Sequence, residues 1–342
     1  MRVLHAPAEI AGQSSVLARA LRGLGVEAHA LAYNPGFPQY RPDEMRPYDD
    51  QPPLPRYLGY LASTLRHAGR WDLYHFHFGR TLIPPHNFDL PLHRSLGKRV
   101  VFHYHGCDVR DRAHMLRTHA RATCTECDPF CIPSRQKRIL ASAARWADAE
   151  LVSTPDLLES APRARHLPVA LDLADYPFTP PSGPARRVVH APTNRLIKGT
   201  RYVEAAYAAL AGHFPDVQFE VVERRPWAEL REILAAADVV VDQTFMGWYG
   251  MVAVEAMALG KPVLCFIRDD FEARLDACPI VRCTAENLAE RLAEVLADTA
   301  GRRRLGELGR AYVEREHAAP VIAGRLLTLY RSLISEGATA HG

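Results

Sequence analysis

Short apolar runs alternate along this chain with segments whose apolar positions recur at helical spacing. Residues 2–7 predict a buried first strand. Ala11-Gly-Gln-Ser-Ser15 then turns into a helix over about Val16–Leu24, ended by Gly25, and Val26–Tyr33 predicts the next strand. Strand, loop, helix and strand open a doubly wound parallel sheet. The proline- and tyrosine-rich stretch 34–55 predicts an irregular loop. A helix follows over Pro55–Ala68, then strands over Asp72–Phe78 and Arg99–His105, a helix over Ile139–Ala147 and a strand over Ala149–Ser153. Val169–Phe178 reads as the segment leaving the first domain, and Pro177-Phe-Thr-Pro-Pro-Ser-Gly-Pro184 as a stiff linker of helix breakers. The alternation then restarts. Strands are predicted over Arg187–Ala191, Val217–Glu223, Val239–Asp242, Val263–Ile267 and Ile280–Cys283, and helices over Tyr202–Gly212, Trp227–Ala237, Met251–Leu259 and Leu288–Ala297. Residues 318–335 are again apolar at helical spacing. The expectation is an α/β protein with Rossmann-like doubly wound domains at 1–178 and 179–317, a cysteine-bearing insertion at about 108–138, and a terminal helix at 318–336.

Composition changes this picture little. A chain of 342 residues that is 48% apolar can fill two cores. A net charge of +3 neither requires nor excludes an anionic small substrate, and makes no case for nucleic acid. No apolar run reaches membrane-spanning length, which leaves peripheral membrane contact open. The first residues read as a strand rather than a signal peptide. Seven cysteines without such a signal imply a reducing, cytoplasmic setting, where metal binding is favoured over disulfides.

The most informative stretch is Asp242-Gln-Thr-Phe-Met-Gly-Trp-Tyr-Gly-Met-Val-Ala-Val-Glu-Ala-Met-Ala-Leu-Gly-Lys-Pro262. It joins an apolar strand to a helix through a turn holding Gly247 and Gly250. The first amides of a helix lack intrahelical partners and the dipole favours negative charge there, so Gly250, Met251 and Val252 form a candidate anion site. Glu255 lies one turn further on the same face. A carboxylate there repels phosphate but accepts hydrogen bonds from sugar hydroxyls, and a nucleotide diphosphate carries both groups.

This segment resembles the donor-site motif of the retaining glycosyltransferases of family 4, whose pattern is E-x-F-G-x-x-x-x-E-A-x-A-x-G-x-P. Tyr249, Gly250, Glu255, Ala256, Ala258, Gly260 and Pro262 match it, while Gly247 stands where the family carries its first Glu. The resemblance is strongest over 188–262. It implies the GT-B fold, two Rossmann-like domains facing across a cleft, with the terminal helix crossing back to the first domain. It also implies transfer of a sugar from a UDP- or GDP-sugar to an unknown acceptor hydroxyl with retention, with no cofactor or metal needed for catalysis. In the family the leaving diphosphate is thought to share a face with the incoming hydroxyl, so no protein carboxylate nucleophile is required. Pro192-Thr-Asn-Arg-Leu-Ile-Lys-Gly199 carries the family's Arg and Lys-Gly, which assigns Arg195 and Lys198 to the donor diphosphate, though two solvated loop cations is the plain alternative. Arg99-Val-Val-Phe-His-Tyr-His-Gly106 ends in the family's His-Gly, which assigns His105 to the donor sugar; Asp108 and Arg110 follow on the loop. Gly12 resembles the family's glycine-rich first loop, which an ordinary tight turn also explains. Phe76-His-Phe-Gly-Arg-Thr81 resembles a sugar- or acceptor-facing loop. A GT-B epimerase and a catalytically silent nucleotide-sugar-binding protein remain as alternatives.

Two further sets carry metal chemistry. Cys124-x-x-Cys127-x-x-x-Cys131, with Cys107, has donors for a structural zinc, with free thiols or a disulfide as alternatives. Cys265, Cys278 and Cys283 read as packing residues. His75 and His77 alternate on one strand and His103 and His105 on another, so the four could hold zinc or line a polar cleft.

Overall fold

The computed structural model describes residues 1–34, 40–127 and 131–339. They form two compact units. The first holds Met1–Asp111, the described residues of 131–170, and the chain from Ala319 onward. Its strands are β1 (Arg2–Ala6), β2 (Glu27–Ala32), β3 (Glu44–Met45), β4 (Leu73–His77), β5 (Arg99–Tyr104), β6 (Ala149–Val152) and β7 (Arg165–His166). They make one parallel sheet in the order β3-β2-β1-β4-β5-β6-β7. Strand alternation sends Leu4, Tyr74, Phe76 and Phe102 to one core, beneath α2 (Pro53–His67), α3 (Leu90–Ser95) and α5 (Pro133–Trp146). Val3, Leu73 and Val101 point to the other, where α1 (Gln13–Gly23) and α12 (Ala319–Thr339) supply Leu17, Leu21, Ile322, Leu326 and Tyr330.

The second unit holds Leu171–Ala318 together with the described part of residues 112–130, which includes α4 (Arg112–Thr118). The division thus falls at Ala170, ahead of the proline-rich stretch. The strands here are β8 (Arg187–His190), β9 (Gln218–Val221), β10 (Val239–Val241), β11 (Val263–Cys265) and β12 (Val281–Arg282), parallel in the order β12-β11-β10-β8-β9. The helices are α6 (Arg195–Lys198), α7 (Thr200–Ala211), α8 (Trp227–Ala235), α9 (Met251–Ala258), α10 (Leu288–Ala297) and α11 (Thr299–Glu316). α7 and α10 cover one sheet face through Val203, Leu210, Leu288 and Leu292. Both units are doubly wound parallel sheets, as the apolar pattern predicts.

Some details depart from the prediction. The stretch expected as irregular over 34–55 contains β3 and the start of α2, and its residues 35–39 lie outside the described ones, as does Pro129 of the cysteine segment. Trp248 and Tyr249, inside the predicted glycine-bearing turn, are buried. They are 3% and 4% exposed, their rings stack at 4.7 Å, and the Tyr249 hydroxyl bonds Tyr312 and His317. α11 was not predicted. No helix among the described residues is long and apolar enough to cross a membrane.

Candidate functional site

The 192–199 motif folds around its own polar atoms. The Asn194 side chain caps α6 by accepting from the amides of Leu196 and Ile197, both at 3.0 Å. Gly199 ends the turn at φ +69°, and a Cβ there would run into Thr244 and Phe245, so only glycine fits. The turn delivers Lys198, 8% exposed, into the unit's interior. Arg195 stays outside, paired with Glu204 and, at 2.8 Å, with Glu223.

Lys198 Nζ lies 3.1 Å from Oδ1 of Asp242, which follows β10 and is 2% exposed. The other Asp242 oxygen accepts the Gly250 amide at 2.6 Å. A Cβ on Gly250 would stand 2.7 Å from Lys198 Nζ and 3.3 Å from Asp242, so this glycine leaves the space the lysine head occupies. The start of α9 is therefore bound up with an internal carboxylate and an internal cation. The sequence reading missed Asp242, although its place one residue beyond an apolar strand was a signal. Gln243 was missed as well. Its carbonyl accepts from the amides of Phe245 and Met246 at 3.0 and 2.5 Å, and its amide donates to the Trp248 carbonyl, which shapes the loop before α9.

Apart from Met251, α9 is buried along its whole length. Glu255 is 3% exposed and accepts a 2.7 Å hydrogen bond from Tyr176, whose hydroxyl also receives the Trp227 ring N–H at 3.0 Å. Burial pushes the Glu255 carboxyl up to about 7 against the opposing effect of the Tyr176 and Trp227 hydrogen bonds. Gly247, at the position of the family's first Glu, has φ +75°, and a Cβ there would meet the Arg268 side chain at 2.7 Å. Gly247→Glu is thus expected to cost about 1–2 kcal/mol from left-handed backbone strain alone, measured as a loss of stability in urea unfolding. Unchanged stability would show that this backbone accepts a side chain.

In the first unit, His105 follows β5, half-buried. Its amide and that of Gly106 donate to Asp108 at 3.2 and 2.7 Å, and burial raises the Asp108 carboxyl to about 6. His105 Nε2 lies 3.0 Å from His77 Nδ1, and burial lowers the His105 ring to about 3, so the imidazole is neutral. Arg110 is not a free loop cation: it forms a buried pair with Asp156 at 2.7 Å. Arg80 of the Phe76–Thr81 run pairs through both terminal nitrogens with Asp49 at 2.7 Å. Gly12, at φ +76°, precedes α1 and leaves room for the Tyr40 ring. Glu9 occupies this helix start, accepting from the amides of Ser14 and Ser15 at 3.2 Å and from their hydroxyls.

Cys107 and Cys131 belong to the first unit, Cys124 and Cys127 to the second. Burial raises the Cys107 thiol above its ordinary value. Cys265 and Cys283 are buried in the second unit, and Cys278 is half-buried.

Comparison with known proteins now bears on this arrangement. Residues 210–312 match the family of glycosyl transferases group 1. In sequence, 136 residues are 31% identical to a D-inositol 3-phosphate glycosyltransferase of Corynebacterium glutamicum (strain R), covering 35% of this chain and 31% of that protein. The match thus spans about a third of the length of that curated relative. In structure, a sucrose-phosphate synthase from Thermosynechococcus elongatus superposes over 98% of this chain and 100% of its own, with a TM-score of 0.66 at 18% identity. The fold is GT-B. Anabaena HepE, solved in complex with UDP-glucose, superposes over 96% of this chain and 99% of its own, with a TM-score of 0.64 at 15% identity. The group 1 match contains Asp242, Gly250 and Glu255 but begins beyond Arg195 and Lys198.

Proposed function

We propose that the protein is a glycosyltransferase that moves a sugar from a nucleotide-diphosphate sugar to an acceptor hydroxyl, with retention of configuration and without a catalytic metal. The observation that carries this reading is Lys198 Nζ, held over Gly250 at the start of α9, one turn from the buried carboxylate Glu255. A lysine head has three N–H donors. With one on Asp242, the others are left for diphosphate oxygens, whose charge grows as the glycosidic bond breaks. Met251 and Val252 supply further amides at the same helix start, and Glu255 accepts from ribose hydroxyls. His105, with Nε2 turned to His77, presents Nδ1 to a sugar hydroxyl. Gly12 stands where the family resembled has its glycine-rich first loop. The UDP-glucose held by Anabaena HepE is consistent with a nucleotide-sugar donor. A GT-B fold does not choose a reaction by itself.

Release of nucleoside diphosphate from a panel of UDP- and GDP-sugars, with the anomeric configuration of the product read by NMR, tests the reading. Asp242 on the Gly250 amide and the φ of Gly247 favour, as a second reading, a silent nucleotide-sugar-binding protein. Binding without turnover across the panel would select it, and conversion of the free nucleotide sugar would select an epimerase. Arg195 is a weaker contributor than Lys198, since it already pairs with two carboxylates at the surface. Arg195→Ala is expected to lower turnover by about tenfold, the scale of one exposed charge-assisted contact. Parental turnover in this variant would make Arg195 a plain surface cation.

A further inference from the structure

One cluster in the first unit enters this reading only through His105. β1, β4 and β5 place five imidazoles side by side on the sheet face that also carries Val3, Leu73 and Val101. The register pairs His5 with His75 and His77 with His103, and His105 follows β5. His5, His75 and His77 are each 0% exposed. One ring nitrogen from each lies within 4.8 Å of the other two.

We propose that His5, His75 and His77 bind a divalent transition-metal ion of the zinc class. His5 Nδ1 and His77 Nε2 are 3.0 Å apart, close to the roughly 3.3 Å edge of a tetrahedron with zinc–nitrogen bonds of 2.0–2.1 Å. The outer nitrogens already have partners of the kind that orient metal-ligating histidines: His75 Nδ1 bonds the Tyr330 hydroxyl, and His77 Nδ1 bonds His105 Nε2 at 3.0 Å. The Nε2 atoms of both rings face other imidazoles, His77 Nε2 the His5 Nδ1 at 3.0 Å and His75 Nε2 the His103 Nδ1 at 3.2 Å, and an ion would replace these contacts. An all-imidazole donor set selects zinc, cobalt, nickel or copper over magnesium and calcium. The site is distinct from the cysteine set, because its donors are nitrogens only.

The full-length protein, purified without chelator and also refolded from denaturant with one equivalent of Zn2+ or Co2+, decides the matter. The expected result is about one metal per chain by mass spectrometry. Zinc-edge absorption should show a first shell of nitrogen at about 2.0–2.1 Å with no sulfur shell near 2.3 Å, and the cobalt form should show visible tetrahedral bands. His5→Gln and His77→Gln should each reduce metal occupancy at least tenfold, and Cys124→Ser/Cys127→Ser should leave it unchanged. A folded protein that takes up neither ion would overturn the assignment, as would zinc with a sulfur shell or full occupancy in the folded histidine variants. If the histidine variants fail to fold, the absorption spectrum of the parent protein still decides.

Discussion

Lys198→Ala is expected to lower turnover by about a hundred- to a thousandfold, the range for removing one group that meets charge developing in the transition state. Binding of the nucleoside monophosphate should change far less, because the charge met by the lysine is largest when the sugar departs. The same substitution strips Asp242 of its cation while the carboxylate stays buried, which costs about 3–5 kcal/mol of stability. The two effects separate in the double variant Lys198→Ala/Asp242→Asn. There the uncompensated charge is gone, and an amide oxygen still accepts the Gly250 N–H, so stability should largely return while turnover stays low. If turnover returns with stability, Lys198 acts only by holding the loop together.

Glu255→Gln has the second large effect, and its sign depends on pH. The folded carboxyl titrates at about 7 against an ordinary value of 4.5, so between these values the folded state binds more protons than the unfolded state. Stability from this group is present at low pH and is lost as pH rises from about 4.5 through 7, by about 3 kcal/mol at most. The glutamine variant has no such loss. Its stability relative to the parent should therefore rise by up to that amount between pH 5 and pH 8 in guanidinium unfolding. Donor binding runs the other way, since ribose hydroxyls donate to the ionised form. At pH 8 the variant should bind nucleoside diphosphate about tenfold to a hundredfold more weakly, the worth of a buried charged hydrogen bond, and the gap should narrow below pH 7. Parallel stability profiles would show that Glu255 is already ionised in the fold. Equal affinities at pH 8 by calorimetry would remove it from the donor site.

Much of the architecture was legible because it rests on local periodicity. Leu288–Ala297 reads as a helix from its apolar spacing alone, and the helix after Gly250 opens at the predicted residue. Both halves declare a parallel sheet through short, buried apolar runs. α11 escaped because its buried face is Arg302, Gly306 and Gly309 with Tyr312 and Val313, so no stripe of large apolar residues marks it. β3 and β7 are two residues each, too short for alternation to show.

The residues of the candidate site were legible in kind but not in environment. A lysine and a glycine at 198–199 and a glutamate inside a helix are matters of sequence. That Asp242 takes the Gly250 amide, that Tyr176 reaches Glu255 across 79 positions, and that Gly247 sits in left-handed backbone were decided by tertiary structure. The histidines show the same division. Alternation places His75 with His77 on one face of β4 and His103 on one face of β5. Only the β1–β4 register brings His5 beside His75, because periodicity within a strand carries no information about which residue its neighbour aligns.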